Sequence, residues 1–495
     1  MLNHGATIFM QAHSQYLGLL VGVARRLRGD LDAAVHLYCA NAQELAHYRR
    51  IDPDGTLFAS ITADNHLYPN AEKPVANAAA VIDEARANES WLGLPINTLA
   101  LADRHLGRGY ALGGFNHPRS RRSELTSYEQ MLQGFNAQIA FWRDEIEKHR
   151  PALVINGGWV PAKVVGRLGV PFRTLAGSRY KNLHQWAHNE YFENPAVDAA
   201  YRALAGSADV AAEIEAPYDS HLTLRGRSVA ASSTLDLVRG LADRLLRHAW
   251  WNLRGYEKAK GYYMTDEMRY LVLRWRDRRL LEKRATLRLA DLSDRPFVYY
   301  PLHMEPEIAL QGMSPEYFFQ LGCIAAISRD LPAGTLLVVK ETLAALGRRP
   351  ADFYDQIRAF KNVVMIDPLE FGLDVVRQCA AVATITGTGG FEGAVMGKPV
   401  ISFGRHNQYN FLPHVSLVTD ESKLAEHIRD ALDEDSDYAA RQRDGARFLA
   451  AVKASSFDLE GFDVLNAASV EDVVVDRAYT ALHESLGARL VAAVS

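Results

Sequence analysis

The chain has 495 residues, of which 48% are hydrophobic and 23% are charged. That length corresponds to about two to four domains, and the composition excludes a largely disordered protein. Its 55 Lys and Arg residues nearly balance its 59 Asp and Glu residues, which leaves a formal net charge of −4. With that balance, nucleic acid is not expected to be the main partner.

Three cysteines, Cys39, Cys323 and Cys379, lie far apart and form no CxxC pair. They predict neither a disulfide framework nor a cysteine-rich zinc site, and the histidines show no metal-ligand spacing. The first residues lack the basic segment of a signal peptide. The apolar stretch from Leu17 to Ala24 is far shorter than the ~20 residues of a spanning helix. We therefore expect a cytoplasmic protein without a metal site that could still touch the inner membrane.

Strands alternate with helices over residues 1–175, and this alternation predicts a parallel sheet covered on both faces. In chain order the predicted elements are strand 6–10, helix 17–27, strand 33–38, helix 128–146, strand 152–155, helix 161–168 and strand 170–175. We interpret this region as one α/β domain.

Strand signals fade over residues 176–294, where aromatic and Arg residues become dense, and we predict a helical insertion or connector. Its segment from Leu241 to Lys260 contains Trp250 and Trp251 beside several basic residues. Such a segment could lie on an anionic membrane surface. The alternative is a helix that packs its aromatic side chains on the body of the protein.

Alternation returns over residues 295–420, which we interpret as a second α/β domain. The predicted elements are strand 297–300, helix 315–328, strand 336–340, helix 351–360, strand 363–366, helix 371–379, strand 381–386, a Gly-rich turn with a helix, and strand 399–403. Residues 421–495 are Ala-rich, and we expect a helical tail that packs back on the body of the protein.

The clearest motif is the Gly-rich turn between a strand and a helix, which reads Thr386-Gly387-Thr388-Gly389-Gly390-Phe391-Glu392. Glycines let backbone N–H groups approach a ligand, and a helix N-terminus favours a phosphate. The carboxylate of Glu392 could accept hydrogen bonds from sugar hydroxyls. A tight structural turn would have the same appearance. The motif is not a Walker loop, because no Gly-Lys-Ser or Gly-Lys-Thr follows.

Two further motifs follow predicted strands of the same domain. His303 lies in Tyr300-Pro301-Leu302-His303, and Lys340-Glu341 ends the strand Leu336 to Lys340. Ligands of open α/β sheets bind at the carboxyl ends of strands. Since all three motifs would meet at one edge, we predict a ligand site there rather than three unrelated loops.

These motifs resemble the bacterial capsule polysaccharide biosynthesis family, which includes Kdo transferases. The stretches that carry the resemblance are PLHMEPE, LPAGTLLVVKE, NVVMIDP and TITGTGGFEGAVMGKPVISFG. The resemblance is good over residues 295–420 and weaker at residues 150–195. It implies two facing Rossmann-like domains of the GT-B type.

The resemblance also implies a glycosyltransferase that needs no metal and uses a nucleotide-sugar donor, with CMP-Kdo as the candidate. The acceptor would be a surface polysaccharide or a lipid-linked glycan. The residues expected to bind the nucleotide sugar are His303, Lys340, Glu341, Thr386, Gly387, Thr388, Gly389, Gly390 and Glu392.

The first domain is then expected to bind the acceptor, through Asn156, Gly157 and Arg179. Glycosyl transfer needs a base for the acceptor hydroxyl or a carboxylate nucleophile. His13 follows the first strand and is our candidate base, and Asp103 is our candidate nucleophile or stabilising carboxylate. Asp64 lies in another loop of this domain.

Two other functions stay open. A nucleotide-sugar epimerase of similar fold would act on its donor without an acceptor. A non-catalytic polysaccharide-assembly protein is favoured by one departure from the family pattern. Members often show Lys-Glu-His-Pro where this chain has Lys340-Glu341-Thr342-Leu343.

Overall fold

The structure, a computed structural model, describes residues 2–106, 122–205, 226, 233–255, 262–284, 287–292, 294–305, 307–433, 437–460 and 470–487. These residues divide into two compact units. Unit 1 is drawn from residues 1–99, 126–206 and 450–495, and unit 2 from residues 100–125 and 207–449. The first part of the expected helical connector, residues 176–205, therefore lies in unit 1.

Unit 1 contains a seven-stranded sheet with helices packed around it. Its strands are β1 (Thr7–Gln11), β2 (Ala34–Cys39), β3 (Ser60–Ala63), β4 (Leu153–Ile155), β5 (Phe172–Gly177), β6 (Leu183–Ala187) and β13 (Phe457–Asp458). Its helices are α1 (Leu17–Leu31), α2 (Ala42–Ile51), α3 (Leu67–Ala71), α4 (Ala78–Leu92), α5 (Ile96–Ala102, at the boundary with unit 2), α7 (Tyr128–His149), α8 (Trp159–Arg167), α9 (Pro195–Ala203) and α19 (Asp472–Gly487).

The strand order of unit 1 is β3-β2-β1-β4-β5-β6-β13. The strands from β3 to β5 are parallel, and β6 and β13 are antiparallel additions. The order reverses between β1 and β4, which makes this the topological switch point of a doubly wound sheet. Leu20 of α1, Leu37 of β2 and Ile155 of β4 are fully buried in the core beside it.

Helix α7 shows how the sequence sets the limits of an element. Ser127 caps its first turn in a capping box with Gln130, which satisfies two backbone N–H groups reciprocally. Its last turn ends where Arg150 adopts a left-handed φ of 48°, and Pro151 cannot continue the helix.

Unit 2 contains a six-stranded sheet. Its strands are β7 (Phe297–Pro301), β8 (Leu336–Lys340), β9 (Val363–Ile366), β10 (Ala381–Thr384), β11 (Val400–Ser402) and β12 (Val415–Leu417). Its helices are α6 (Arg122–Leu125), α10 (Thr234–Leu253), α11 (Met264–Arg284), α12 (Ile308–Gln311), α13 (Gln320–Asp330), α14 (Phe353–Ala359), α15 (Gly372–Gln378), α16 (Thr388–Val395), α17 (Leu424–Ala431) and α18 (Tyr438–Ala454, which runs on into unit 1), with 3₁₀ turns at Leu289–Leu292, Leu343–Ala345 and Glu421–Lys423.

All six strands of unit 2 are parallel, in the order β9-β8-β7-β10-β11-β12. This is again the doubly wound order, with its switch point between β7 and β10. The predicted α/β fold with two Rossmann-like domains is confirmed.

Four strands escaped the sequence analysis: β3, β6, β12 and β13. Each is short, and β3 and β6 mix polar residues with apolar ones, as in Ser60-Ile61-Thr62-Ala63. Strands β3, β12 and β13 lie at the edges of their sheets, where short strands are common, whereas β6 pairs on both sides, with β5 and β13. The helix expected from residue 315 begins at Gln320.

The carboxyl-terminal helix α19 packs on unit 1. Gly22 of α1 lies directly against Val475, and the indole N–H of Trp186 donates to the carbonyl of Ala478 at 2.8 Å. Strand β13 pairs with β6 just before this helix. None of the helices in the described ranges combines the length and the apolar character that crossing a bilayer demands.

Candidate functional site

The site in unit 2 is built at the switch point of its sheet, where His303 follows β7. The Nε2 atom of His303 accepts a hydrogen bond from the backbone N–H of Thr386 at 3.0 Å and lies 3.3 Å from the Thr384 hydroxyl. Its Nδ1 lies 3.2 Å from Oε1 of Gln320, which also accepts from the His303 backbone N–H at 2.7 Å. This pattern fits a neutral imidazole with its proton on Nδ1. His303 thus ties the end of β10 to the end of β7.

The Gly-rich turn uses part of its own backbone. The N–H of Gly387 donates to the Thr384 hydroxyl at 3.0 Å, and the Thr386 hydroxyl donates to the carbonyl of Ala309 at 3.0 Å. Helix α16 then begins at Thr388. The backbone N–H groups of Thr388 and Gly389 have no hydrogen-bond partner among the described residues. These two groups are what the turn offers to an anion.

The glycines of this turn also serve close packing. A Cβ atom at Gly390 would collide with the hydroxyl of Tyr409, and one at Gly389 would lie 3.1 Å from Pro301. The glycines therefore let α16 approach the strand ends, in addition to exposing its first N–H groups. A large side chain at Gly389 would move Pro301, so it would disturb the strand edge as well as a ligand.

Glu392 lies in the second turn of α16. Burial raises the pKa of its carboxyl group to about 7, and the nearby charges of Lys340 and Arg377 oppose that rise. Burial, and next to it the charge of Glu392, raise the pKa of Tyr299 on β7. The fold thus brings Lys340 and Glu392, two of the predicted residues, to one place above β7.

Glu341 is turned into the protein. Its carboxylate accepts hydrogen bonds from Arg349 at 2.8 and 2.9 Å and from the Tyr354 hydroxyl at 3.0 Å. Both Glu341 and the Arg349 side chain are fully buried. In this arrangement Glu341 holds the loop after β8, and both of its carboxylate oxygens accept hydrogen bonds from within the protein.

Arg349 joins that loop to the one after β7. It forms a second buried ion pair with Glu305, and it donates to the carbonyl of His303 at 2.6 Å. Gln320 donates to Glu305 at 2.6 Å. Burial raises the pKa of Glu305 to about 7, although the charge of Arg349 opposes it. Neither Arg349 nor Gln320 was predicted from the sequence. Gln320 is a polar residue in an otherwise apolar stretch, and Arg349 follows Arg348 before Pro350 with no motif around it.

A second polar cluster lies at the switch point of unit 1. The side-chain amide of Gln11, the last residue of β1, donates to Asp64 and accepts from the backbone N–H of Gly158. Asp64 follows β3 and is 3% exposed. Burial raises the pKa of Asp64 to about 6. Gln11 thus connects the ends of β1, β3 and β4. In the sequence it is only a polar residue after the predicted strand 6–10.

The predicted acceptor-side residues lie near this cluster and at the end of β5. Asn156 adopts a left-handed φ of 57°, and its Oδ1 accepts from the Leu175 N–H at 2.9 Å. A Cβ at Gly157 would lie 2.9 Å from the ring of Phe172. Arg179 also has a left-handed φ, of 66°, in the turn between β5 and β6. The Asn156 side chain therefore stabilises the turn after β4. The left-handed backbone conformations of Asn156 and Arg179 set the course of the loops after β4 and β5.

The two predicted catalytic residues belong to different units. His13 follows β1 in unit 1, where its ring is 5.0 Å from that of Tyr16 and the surrounding protein lowers its pKa by desolvation. Asp103 follows helix α5 rather than a strand, and its carboxylate accepts from the N–H groups of His105 and Leu106 at 2.8 and 2.6 Å. Asp103 thus has the contacts of a turn-capping residue. Within the described part of the chain, no group of three potential metal-ligating side chains is found.

The family model described as Capsule polysaccharide biosynthesis protein matches residues 210–433, which contain the switch-point site of unit 2. No curated protein matches the chain in sequence.

Several solved structures are similar to the chain at low identity. KpsC of Thermosulfurimonas dismutans, a beta Kdo 2,4 transferase, is 15% identical, with a TM-score of 0.29, and the match covers 57% of this chain and 79% of that one. UDP-GlcNAc 2-epimerase of Neisseria meningitidis is 12% identical, with a TM-score of 0.29 and coverage of 90% and 97%. The α,α-trehalose 6-phosphate synthase of Burkholderia multivorans is 11% identical, with a TM-score of 0.32 and coverage of 98% and 100%.

Structural similarities this weak do not support any statement about activity. The match to the family model and the geometry of the candidate site are the two observations that bear on function. Residues 210–433 are similar to the capsule polysaccharide biosynthesis family, the family that the sequence motifs resemble.

Proposed function

We propose that the protein is a glycosyltransferase of capsule assembly. It moves a sugar, with Kdo as the candidate, from a nucleotide-activated donor to a surface polysaccharide or a lipid-linked glycan. The observation that carries the proposal is the convergence of Lys340, Glu392 and the uncommitted N–H groups of α16 at the switch point of unit 2.

The donor phosphate is proposed to bind between Lys340 and the start of α16. The N–H groups of Thr388 and Gly389 donate to it, and the helix field favours its negative charge. Lys340 adds a full positive charge from the end of β8. These groups can stabilise the leaving phosphate without a divalent cation, so the proposal includes metal-independent transfer. Transfer that persists after treatment with EDTA would agree with it.

Glu392 is proposed to recognise hydroxyl groups of the donor. With a pKa of about 7, its carboxyl group exchanges between a form that only accepts hydrogen bonds and one that also donates. Glu392 lies one turn beyond Thr388 along α16. The first turn is therefore open to the phosphate. A sugar or ribose hydroxyl would therefore meet Glu392 while the phosphate meets the helix end.

The acceptor is proposed to bind at the strand edge of unit 1. Asp64 has a pKa of about 6 and is oriented by Gln11, so it meets the requirements of a general base near neutral pH. His13 is the other candidate base in the same unit. We propose a cytoplasmic enzyme whose lipid-linked acceptor brings it to the inner membrane.

One observation favours a second candidate, a non-catalytic assembly protein. Thr342 and Leu343 occupy the positions where relatives often have His-Pro, and Leu343 is buried in a 3₁₀ turn. This loop therefore offers no imidazole to a donor. Such a protein would bind a glycan without turning over a nucleotide sugar.

The proposal is tested first by thermal shift with CMP, UDP, GDP and their sugars, because a ligand that binds only the folded state raises its melting temperature. A rise with one nucleotide, followed by release of that nucleotide in the presence of a capsule acceptor, supports the transferase. Conversion of the nucleotide sugar without an acceptor would identify an epimerase. Stabilisation by glycan alone, with no nucleotide effect, would favour the assembly protein.

A further inference from the structure

Helix α10 leaves an apolar face open to solvent. None of its residues is buried, although a helix of a globular protein normally buries its apolar stripe. Leu246 is 72% exposed and Leu253 is 84% exposed. The exposed large apolar residues of the helix, here called the α10 stripe, are Leu235, Val238, Leu245, Leu246, Trp250 and Leu253.

The stripe is a continuous surface on one side of the helix. Its members follow one another mainly at steps of three or four residues, which places them on one face. The opposite side of α10 packs on α11. There Gly240 approaches Leu271, and the Trp275 indole N–H donates to the Thr234 hydroxyl at 3.1 Å. The stripe therefore points away from α11.

Helix α11 holds α10 on unit 2. Arg244 of α10 forms an ion pair with Glu267 of α11 at 2.9 Å. Asp277 of α11 accepts from the N–H of Gly347 at 3.1 Å, and Leu281 is buried in the core of the unit. The α10 stripe therefore belongs to a helix that α11 holds on unit 2.

The surroundings of the stripe are basic. Residues 233–255, which contain α10, hold four Arg residues against two Asp residues, whereas the whole chain has a net charge of −4. The Arg254 guanidinium lies over the Trp250 ring at 4.3 Å, and the Arg239 side chain is 70% exposed. An apolar stripe with Trp and Arg at its border matches the boundary between acyl chains and anionic head groups.

We propose that the α10 stripe binds the surface of an anionic lipid bilayer, with the helix lying in the plane of the head groups. The proposal rests on the proposed function only for its biological setting, a lipid-linked acceptor. A second copy of the chain fits the stripe less well, because face-to-face pairing would bring two surfaces with the same excess of positive charge together. A bilayer of anionic lipid supplies the opposite charge and an apolar interior at once.

The test is flotation of the full-length protein with vesicles, without nucleotide or acceptor. Vesicles of phosphatidylcholine with one third phosphatidylglycerol are compared with vesicles of phosphatidylcholine alone, at low and high salt. We expect binding to the anionic vesicles, weakened by salt. Leu246→Asp and Leu253→Asp should each reduce the partition constant by about tenfold or more, as expected for an apolar side chain kept out of the bilayer.

The matched control is Val473→Asp, at an apolar residue of α19 that is 50% exposed, which should bind as the parent does. Leu253→Gln, at the most exposed position of the stripe, gives a second variant that cannot disturb packing. Lack of vesicle binding by the parent protein would overturn the proposal. A dimer that dissociates in the Leu253 variants, without vesicle binding, would assign the stripe to a second copy. Because no nucleotide is present, the outcome is independent of the donor-site tests.

Discussion

Lys340, the last residue of β8, lies close enough to Glu392 of α16 for its charge to counteract the effect of burial on the pKa of the Glu392 carboxyl group. The two residues come from separate βα units and meet only because β8 and β10 lie on either side of β7. A cation and a carboxyl group that titrates near neutral pH, next to a helix N-terminus, can recognise a phosphate and a hydroxyl together.

Replacing Lys340 by Ala should weaken nucleotide binding by about 1.5–3 kcal/mol, because a charge-assisted hydrogen bond to the phosphate is lost. Isothermal titration with the nucleotide found by thermal shift measures the change. Lys361→Ala removes an exposed Lys of the same unit and is the control. Equal affinities of the two variants would mean that Lys340 does not touch the phosphate.

Glu392→Gln should change how stability depends on pH. The folded pKa of Glu392 is raised to about 7, so between its ordinary value and pH 7 the native state holds more protons than the unfolded state. Stability then falls as pH rises through this window, by on the order of 3 kcal/mol for this group. Urea unfolding of Glu392→Gln across that range should show a flatter profile than the parent. Parallel profiles would contradict the buried carboxyl group.

The same variant should keep part of the nucleotide affinity and lose most transfer, since Gln can bind a hydroxyl group but cannot change its protonation. Single-turnover assays and titration separate the two effects. A variant that transfers at the parental rate would leave Glu392 without a role in the reaction.

Gly390→Ala should destabilise unit 2 by about 1–3 kcal/mol, because the added methyl group collides with Tyr409 in a packed site. Thermal unfolding measures the loss. The control is Gly166→Ala in α8, where a Cβ would meet nothing within 4 Å. A destabilisation as small as in the control would show that α16 can move away from the strand ends.

Arg349→Met should be among the most damaging single substitutions. It leaves the carboxylates of Glu305 and Glu341 buried without their cation, which costs about 3–5 kcal/mol. Arg377→Met breaks an exposed pair with Asp374 and should cost less than about 1 kcal/mol. Urea unfolding of the two variants compares these losses, and similar values would refute the buried network.

Asp64→Asn should lower the transfer rate by about a hundredfold or more if Asp64 is the base for the acceptor, the usual worth of general base catalysis. The parent should lose activity as pH falls through about 6, the pKa of Asp64. His13→Gln tests the other candidate. If His13→Gln loses most of the transfer rate while Asp64→Asn keeps the parental rate, the base is His13 and not Asp64.

The sequence by itself determined the class of the fold and the sheet edge at which the candidate residues meet. Alternating helix and strand periods predict doubly wound sheets, and ligands meet the carboxyl ends of parallel strands. The sequence pattern alone therefore assigns His303, Lys340 and the Gly-rich turn to one edge of the sheet. That inference needs only local pattern and general topology.

Only the tertiary structure shows which of these residues are engaged in contacts within the protein. Arg349 pairs with Glu341 of its own loop and with Glu305 of the loop after β7, and no spacing in the sequence predicts the contact between these two loops. The pKa of Glu392 depends on how deeply α16 lies on the strands, and that depth is set by glycines that meet Pro301 and Tyr409. Burial and long-range pairing are properties of the packed chain, which is why the sequence could name the candidate residues but could not show which of them are buried in hydrogen bonds within the protein.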